Sequence, residues 1–186
     1  MKSHDRKSDR TKRVIAESLQ SLLSVKPISK ITVAEIVGGC GMTVPRFYNH
    51  FSDKYSLVVW IYANEVERLL LRIGVEGCRW SDALRDIMQY FHTNRDLFVN
   101  VLSHKGAKNN FMNELDEINI GSLRRIILGK TKGEIPPFLE EQARFYCLGL
   151  SRYVYSWLTD ADPVQPDEAA RICEECLPNG LGYYLY

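Results

Sequence analysis

The chain lacks the patterns that mark membrane proteins and metal enzymes. No apolar run approaches the roughly 18–20 residues that span a bilayer. The first seven residues are polar and charged, unlike a leader with an apolar core. We therefore expect a cytoplasmic chain without a membrane segment. The four histidines are scattered, and they do not combine with acids at the spacing of metal ligands.

Familiar catalytic motifs are missing as well. The glycine-rich stretch 38–41 has neither the Lys-Ser/Thr pair nor the preceding strand of a phosphate-binding loop, and no Gly-x-Ser-x-Gly or His-Glu-x-x-His occurs. The acids within 114–117 fit a solvated helix face. The sequence therefore predicts no catalytic residue, no metal and no cofactor, and we interpret the chain as a non-enzyme.

Cysteine is present in an odd number, five, which argues against a disulfide framework in a chain expected to be cytoplasmic. Cys173 and Cys176 form a single C-x-x-C pair, and one such pair without partner ligands is weak evidence for zinc or redox chemistry. We interpret both as ordinary helix residues. A redox-sensing pair is the alternative.

Net charge is close to zero, but its distribution along the chain is uneven. Residues 1–54 hold ten Lys/Arg and five Asp/Glu, a net charge of +5, whereas the remaining residues carry −4. A basic N-terminal third followed by an acidic remainder favours an anion-binding module joined to a module of another kind.

The strongest local signals lie between residues 32 and 54. Thr32 followed three residues later by Glu35 is a capping box at the start of a short helix. The glycines at 38, 39 and 41 end that helix. Thr43 as a cap and Pro45 in the first turn then start a second helix. Two short helices joined by a glycine turn predict a helix-turn-helix.

The second of these helices has two different faces. Phe47 and Phe51 lie four residues apart, and we expect both to pack inward. The outward side chains carry donors, a cation and an aromatic ring but no acid, which suits a phosphate-lined groove. They are Thr43, Val44, Pro45, Arg46, Tyr48 and Asn49. A helical hairpin that merely packs is the alternative, and the basic charge of this region disfavours it.

This stretch resembles the DNA-binding domain of TetR-type transcription regulators over roughly residues 10–62. The runs 31–33, 36–37 and 40–43 contribute, and Phe-Tyr-Asn-His-Phe at 47–51 with Asp53 and Lys54 is the most specific part. Residues 51–61 resemble more narrowly the subgroup that contains the dihydroxyacetone-kinase regulator. The resemblance implies an all-α fold of about nine helices, with a helix-turn-helix head at 1–53 and a regulatory and dimerisation body at 54–186.

The resemblance also implies a homodimer that binds a palindromic operator in double-stranded DNA. Arg46 is the best candidate for reading a base, because arginine pairs with the guanine edge through two bonds. Thr43 would meet a phosphate or a base, and Val44 and Pro45 a thymine methyl. Family matching implies phosphate contacts, which fix register rather than sequence, from Thr32, Tyr48, His50 and Lys54. Pro45 departs from the Gly or Lys common there, which leaves the operator sequence open.

Beyond the head, apolar periodicity predicts helices throughout. They cover 9–25 in the head and then 53–73, 81–91, a helix capped by Asn94, 110–128, 138–158 and 167–177. In the family the two C-terminal helices form the dimer through a four-helix bundle, and the apolar helix 138–158 suits that role. Packing of both helices in the core of a monomer is the alternative.

A ligand pocket in the body is implied by the resemblance alone. Seven polar-tipped, charged or aromatic side chains fall in helices expected to be partly buried, where polar groups need partners. They are Tyr90, His92, His104, Phe145, Tyr146, Arg152 and Trp157. Satisfied core residues are the alternative for each. The effector is a small molecule or, as an alternative, a partner protein, and the sequence leaves repression or activation open.

Overall fold

The computed structural model describes residues 2–74, 77–103, 105–131 and 133–186, with the side chains of all of these except 2–8 and 105–111. Every regular element in these ranges is helical, so the predicted all-α class is confirmed. The elements are α1 (Lys2–Leu23), a 3₁₀ turn (Ile28–Lys30), α2 (Val33–Gly39), α3 (Val44–Tyr48), α4 (Lys54–Leu70), α5 (Trp80–Thr93), α6 (Arg95–Ser103), α7 (Lys105–Lys130), α8 (Pro137–Thr159), α9 (Pro166–Glu175) and α10 (Asn179–Leu185).

The chain divides into two compact units, residues 1–62 with 100–111, and residues 63–99 with 112–186. In the first unit, one apolar residue from each of several helices is fully buried: Ile15 of α1, Ile36 of α2, Phe47 of α3 and Leu57 of α4. Burial of each such side chain contributes about 1.5–3 kcal/mol. This shared core holds the short helices α2 and α3, which are too short to be stable alone.

In the second unit, α5 packs chiefly against α9, and α10 packs against α8. Aromatic side chains fill much of its core. The rings of Phe91 and Phe98 meet edge to face with centroids 4.9 Å apart, and Trp80 lies against Tyr146 at 6.2 Å. The buried face of α9 includes the small side chains of Ala169 and Cys173, which let that helix lie close to α5.

A buried hydrogen-bond chain joins three helices of this unit. The last carbonyls of any α-helix lack intrahelical partners, and the carbonyl of Cys173 belongs to the last turn of α9. The Tyr146 hydroxyl of α8 donates to it at 2.7 Å. The same hydroxyl accepts from the indole N–H of Trp80 in α5 at 3.3 Å. A polar group on each of three helices is thereby satisfied inside the core.

Several boundaries differ from the sequence predictions. Helix α1 begins at Lys2 rather than Asp9, and α7 continues from Lys105 through Gly121 to Lys130 without a break. The helix predicted to end at 177 stops at Glu175. Pro178 then occupies the N-cap of a further short helix, α10, because proline cannot continue α9 yet is tolerated at a helix start. The domain boundary predicted between residues 53 and 54 stays a prediction.

Candidate nucleic-acid interface

The start of α2 is fixed by the predicted capping box. The Thr32 hydroxyl accepts from the Glu35 backbone N–H at 3.2 Å, and the Glu35 carboxylate accepts from the Thr32 N–H at 2.8 Å. The Lys26 ammonium lies 2.5 Å from the same carboxylate. Lys26, and then the Thr32 N–H, lower the pKa of Glu35 to about 2. The exposed cap therefore stays ionised at neutral pH.

The turn between α2 and α3 depends on two glycines for different reasons. Gly41 has φ of +67°, a left-handed conformation that side chains rarely adopt. Gly39 faces α1, where a Cβ atom would lie only 2.5 Å from the Ser18 hydroxyl oxygen. That hydroxyl donates to the Ile36 carbonyl at 2.6 Å. The glycine thus permits the hydrogen bond that ties α1 to α2.

Helix α3 presents the two faces that the sequence predicts. Phe47 is completely buried, and its ring lies 5.6 Å from that of Phe51, which in turn contacts Trp60 at 6.0 Å. The opposite side is exposed, including Tyr48 with 54 % of its surface accessible. The exposed residues here are Thr43, Val44, Pro45, Arg46, Tyr48 and Asn49. Thr43 occupies the N-cap position, but its side chain makes no capping hydrogen bond.

Three basic side chains gather beside α3. The Arg46 guanidinium donates to the Thr11 hydroxyl of α1 at 3.4 Å. The Lys12 ammonium lies 6.0 Å from the centre of the Trp60 ring, within cation–π range. Partial burial first, and then the charges of Lys12 and Arg46, lower the pKa of His50. His50 is therefore neutral at pH 7, and it can donate one hydrogen bond beside two fixed positive charges.

Lys12 is a member of this group that sequence reasoning did not single out. It lies in α1, outside the helix-turn-helix, where the sequence indicates only a general excess of positive charge near the N-terminus. Its proximity to His50 and Trp60 depends on how α1 packs against α3 and α4, which no local pattern reveals.

Lys54, at the first position of α4, is differently engaged. Its ammonium donates to the carbonyls of Ile28 at 2.6 Å, Ile31 at 2.8 Å and Ser29 at 3.3 Å. An ammonium has three N–H donors, so all three are occupied within the protein. Partial burial lowers the pKa of Lys54. Its phosphate contact stays a prediction, and in this structure Lys54 joins α4 to the 3₁₀ turn.

The predicted pocket residues in the second unit are dispersed. His104 lies outside the described residues. Phe145 is 79 % exposed, and His92 and Arg152 are exposed as well. Two adjacent residues of α8 thus differ sharply in exposure, since Tyr146 is buried and Phe145 faces solvent.

The buried and half-buried members of this set contact other residues of the same unit. Tyr146 belongs to the hydrogen-bond chain described above. The Trp157 indole N–H donates to the Val164 carbonyl at 2.7 Å, and its ring lies 6.3 Å from that of His92. Tyr90 is half-buried with its ring 6.0 Å from Phe98, and burial raises its pKa to about 12. A ligand site made from these residues stays a prediction.

Comparison with known proteins identifies the family. The two short helices, their glycine turn and the shared core define a helix-turn-helix head on an all-α chain. The family model described as a transcriptional regulator C-terminal region, of the TetR type, matches residues 79–179. Because this match covers more than half of the chain, the chain belongs to the TetR family of transcriptional regulators.

Individual relatives are distant. The activator DhaS of the dhaKLM operon from Lactococcus lactis subsp. lactis (strain IL1403) is 23% identical over 96 residues, which are 52% of this chain and 51% of DhaS. The sequence match thus spans about half the length of that relative. Among solved structures, the dihydroxyacetone kinase operon activator DhaS has a TM-score of 0.62 at 15% identity, covering 95% of this chain and 98% of that one.

A second structural neighbour is the TetR family repressor FadR of Thermus thermophilus, solved with lauroyl-CoA, with a TM-score of 0.60 at 14% identity, covering 89% of this chain and 92% of that one. At these identities the structural likeness establishes the fold. Among the described residues, no helix is long and apolar enough to cross a membrane. No group of three or more His, Cys, Asp or Glu side chains in that part of the chain is placed to hold a metal ion.

Proposed function

We propose that this chain is a DNA-binding transcription regulator that binds a palindromic operator as a homodimer, with α3 in the major groove. The observation that carries this proposal is the exposed face of α3. Six exposed residues, none of them acidic, lie on α3 and its two cap positions, while Phe47 anchors the opposite face of the helix. Lys12 and Arg46 add positive charge beside it, as a phosphate-lined groove requires.

Each side chain of this face has a proposed role. Arg46 reads a base, and its bond to Thr11 leaves four of the five guanidinium donors for DNA. Val44 and Pro45 contact thymine methyls, while Thr43 and Asn49 contact a base or a phosphate. Thr32, Tyr48 and His50 contact phosphates, which set the register of the head on DNA. For Lys54 we propose an anchoring role first, because the carbonyls of residues 28, 29 and 31 already bind its ammonium.

The dimer is proposed to form through α8 and α9. Phe138 and Phe145, seven residues apart on α8, are 75 % and 79 % exposed, and Leu148 extends the same apolar surface. A cluster of large apolar side chains left open to water is typical of a surface that another chain covers. In α9, Arg171 forms ion pairs with both Glu168 and Glu175. They fit the polar rim of such an interface.

The dimer is tested by sedimentation equilibrium. Phe145→Glu places a charge in the proposed interface and should give a monomer at concentrations where the parent is a dimer. Tyr183→Glu, at a residue that is 83 % exposed on α10, is the matched control and should remain dimeric. A parent that sediments as a monomer would contradict the proposal.

An effector bound to the C-terminal body would bias the spacing of the two heads. Two half-sites lie about one helical turn of DNA apart or a multiple of it, so a small change in this spacing alters affinity. The family includes FadR, solved with the small molecule lauroyl-CoA, which supports a small-molecule effector. A partner protein as effector is the alternative that the sequence raised.

DNA binding is tested by selection from random duplexes at two salt concentrations. A palindrome should be enriched, and Arg46→Ala should lose about 1–3 kcal/mol and its preference at one base position. Tyr48→Ala should weaken binding to all sequences alike. Lys130→Ala, which removes an exposed cation from the end of α7, is the control and should bind like the parent. If no sequence is enriched and Arg46→Ala matches this control, the proposal fails.

A further inference from the structure

The three basic side chains beside α3 are brought together by contacts within the head. The Arg46 guanidinium reaches the Thr11 hydroxyl of α1 at 3.4 Å, which places it near Lys12, the next residue of that helix. His50 follows Arg46 by four residues, about one helical turn. Lys12, Arg46 and His50 therefore form one group, which we call the basic cluster.

The Trp60 ring of α4 supports this cluster from the core side. The Lys12 ammonium lies 6.0 Å from the ring centre. The ring of Phe51, the neighbour of His50 in the chain, lies 6.0 Å from the same indole. Lys12 and His50 thus occupy adjoining parts of one surface. Both side chains are only half-buried, so a ligand can reach them from solvent.

Positive charges face His50 from two helices. Lys12 of α1 and Arg46 of α3, after partial burial, lower the pKa of its imidazole. The Trp60 ring that α4 contributes is uncharged. The Asp53 carboxylate, just before α4, accepts from a backbone N–H in the first turn of that helix at 2.7 Å. The neutral imidazole therefore lies beside two cations, while the nearest acid along the chain caps α4.

Other charged groups of the helix-turn-helix are engaged elsewhere. The Lys54 ammonium donates to three carbonyls, and Glu35 of α2 forms an ion pair with Lys26. A phosphate oxygen placed between Lys12 and His50 would reverse the balance at the imidazole, because an opposite charge favours the charged form of a titratable group. The free head disfavours protonation of His50, and a bound phosphate favours it.

We propose that a phosphodiester of the DNA backbone binds between Lys12 and His50, and that His50 takes up one proton from solvent as it binds. The inference rests on the proposed function and deepens it, because it adds Lys12 to the phosphate contacts and couples operator affinity to pH. In the complex both imidazole nitrogens carry a proton, and one donates a charge-assisted hydrogen bond to a phosphate oxygen. Affinity therefore rises as pH falls.

NMR titration of the imidazole C–H resonance measures this protonation directly. The pKa of His50 should lie below its ordinary value of about 6.5 in the free chain and above it on a short duplex of mixed sequence at low salt, since phosphate contacts carry no sequence information. His50→Gln identifies the resonance by its loss. The same pKa with and without DNA would overturn the proposal. An equal rise with millimolar inorganic phosphate alone would show a site for the free anion and overturn it as well.

The pH dependence of DNA affinity tests the consequence. Each head takes up at most one proton, which limits the rise to about tenfold per pH unit and head. We expect the affinity of the parent to rise about tenfold from pH 8 to pH 6. His50→Gln keeps a donor but takes up no proton, so most of this rise should disappear. His92→Gln, at an exposed histidine of α5, is the matched control, and equal rises in the two variants would refute the proposal.

Lys12→Gln tests the other side of the phosphate site. Loss of the ammonium should lower the salt dependence of binding by about one ion per head. It also removes a positive charge beside His50, so proton uptake should move to higher pH. Lys130→Gln, at an exposed cation at the end of α7, should change neither quantity. A salt dependence of Lys12→Gln equal to that of this control would show that Lys12 meets no phosphate.

The outcomes distinguish this inference from the proposed function. If the parent and His50→Gln bind a selected palindrome with the same pH profile, the regulator is supported and the proton uptake is refuted. If His50 takes up a proton on mixed-sequence DNA while no palindrome is selected, the phosphate site is supported and the operator is contradicted. A chain that binds no duplex at either pH would overturn both.

Discussion

Replacing Tyr146 by phenylalanine isolates the buried hydrogen-bond chain of the second unit. The substitution keeps the ring and removes only the hydroxyl, which donates to the Cys173 carbonyl at 2.7 Å and accepts from the Trp80 indole at 3.3 Å. It leaves a carbonyl and an N–H without this partner in the core. Both helix packing and the apolar contacts of the ring should be retained.

The expected loss is about 1–3 kcal/mol in the free energy of unfolding. An unsatisfied buried donor or acceptor costs about 1–3 kcal/mol. The Cys173 bond contributes most of the loss, because it is short and completes the last turn of α9, whereas the longer Trp80 bond adds less. In a chain of this size each kcal/mol lowers Tm by about 2–4 °C.

Urea unfolding followed by tryptophan fluorescence measures this change. Tyr183→Phe removes a hydroxyl from a side chain that is 83 % exposed and should shift stability by less than about 0.5 kcal/mol. Trp80→Phe combined with Tyr146→Phe should lose less than the sum of the two single changes, since both remove one bond. If the Tyr146→Phe variant unfolds at the same urea concentration as the parent, the buried hydrogen bonds of Tyr146 do not stabilise the second unit.

Three further predictions concern the head. Lys54→Met should destabilise the head by about 1–3 kcal/mol, because three carbonyls lose a charged donor. Lys30→Met removes an exposed cation and should leave the stability unchanged. Equal urea midpoints for the two variants would refute the anchoring role of Lys54. Because the pKa of His50 is lowered in the fold, the unfolded chain binds more protons below about pH 6.5, so stability should fall as pH drops through that window and recover as it rises. His50→Gln should flatten this part of the pH profile of Tm, and an unchanged profile would contradict the assignment. Gly39→Ala should cost about 1–3 kcal/mol through overlap with Ser18, and Ser18→Ala in the same chain should relieve part of it; purely additive losses would show that the two side chains do not meet.

The head could be predicted from sequence in detail because its signals are local. The Thr32–Glu35 capping box, the positive φ at Gly41 and the inward Phe47 all depend on residues within a few positions of one another. Such signals can be recognised in the sequence without knowledge of the rest of the fold. Of the three basic side chains beside α3, Arg46 and His50 were foreseen and Lys12 was not, because Lys12 joins them through packing.

The body could be predicted as a set of helices but not as a site. Helix α8 is apolar around much of its surface, so its sequence does not say which side is buried. Phe145 and Tyr146 show the consequence, since one is exposed and the other lies in the core.

Because three carbonyls hold the Lys54 ammonium, DNA binding should release fewer condensed counterions than the sequence suggests. A lysine contributes to salt dependence only where it neutralises a phosphate and releases a condensed counterion, at about 0.9 ions per contact. Lys54 is committed to the carbonyls of residues 28, 29 and 31, whereas Lys12 remains beside the binding face. The slope of log affinity against log salt concentration should therefore correspond to about one released ion fewer per head than a count of the lysines and arginines in the motif implies.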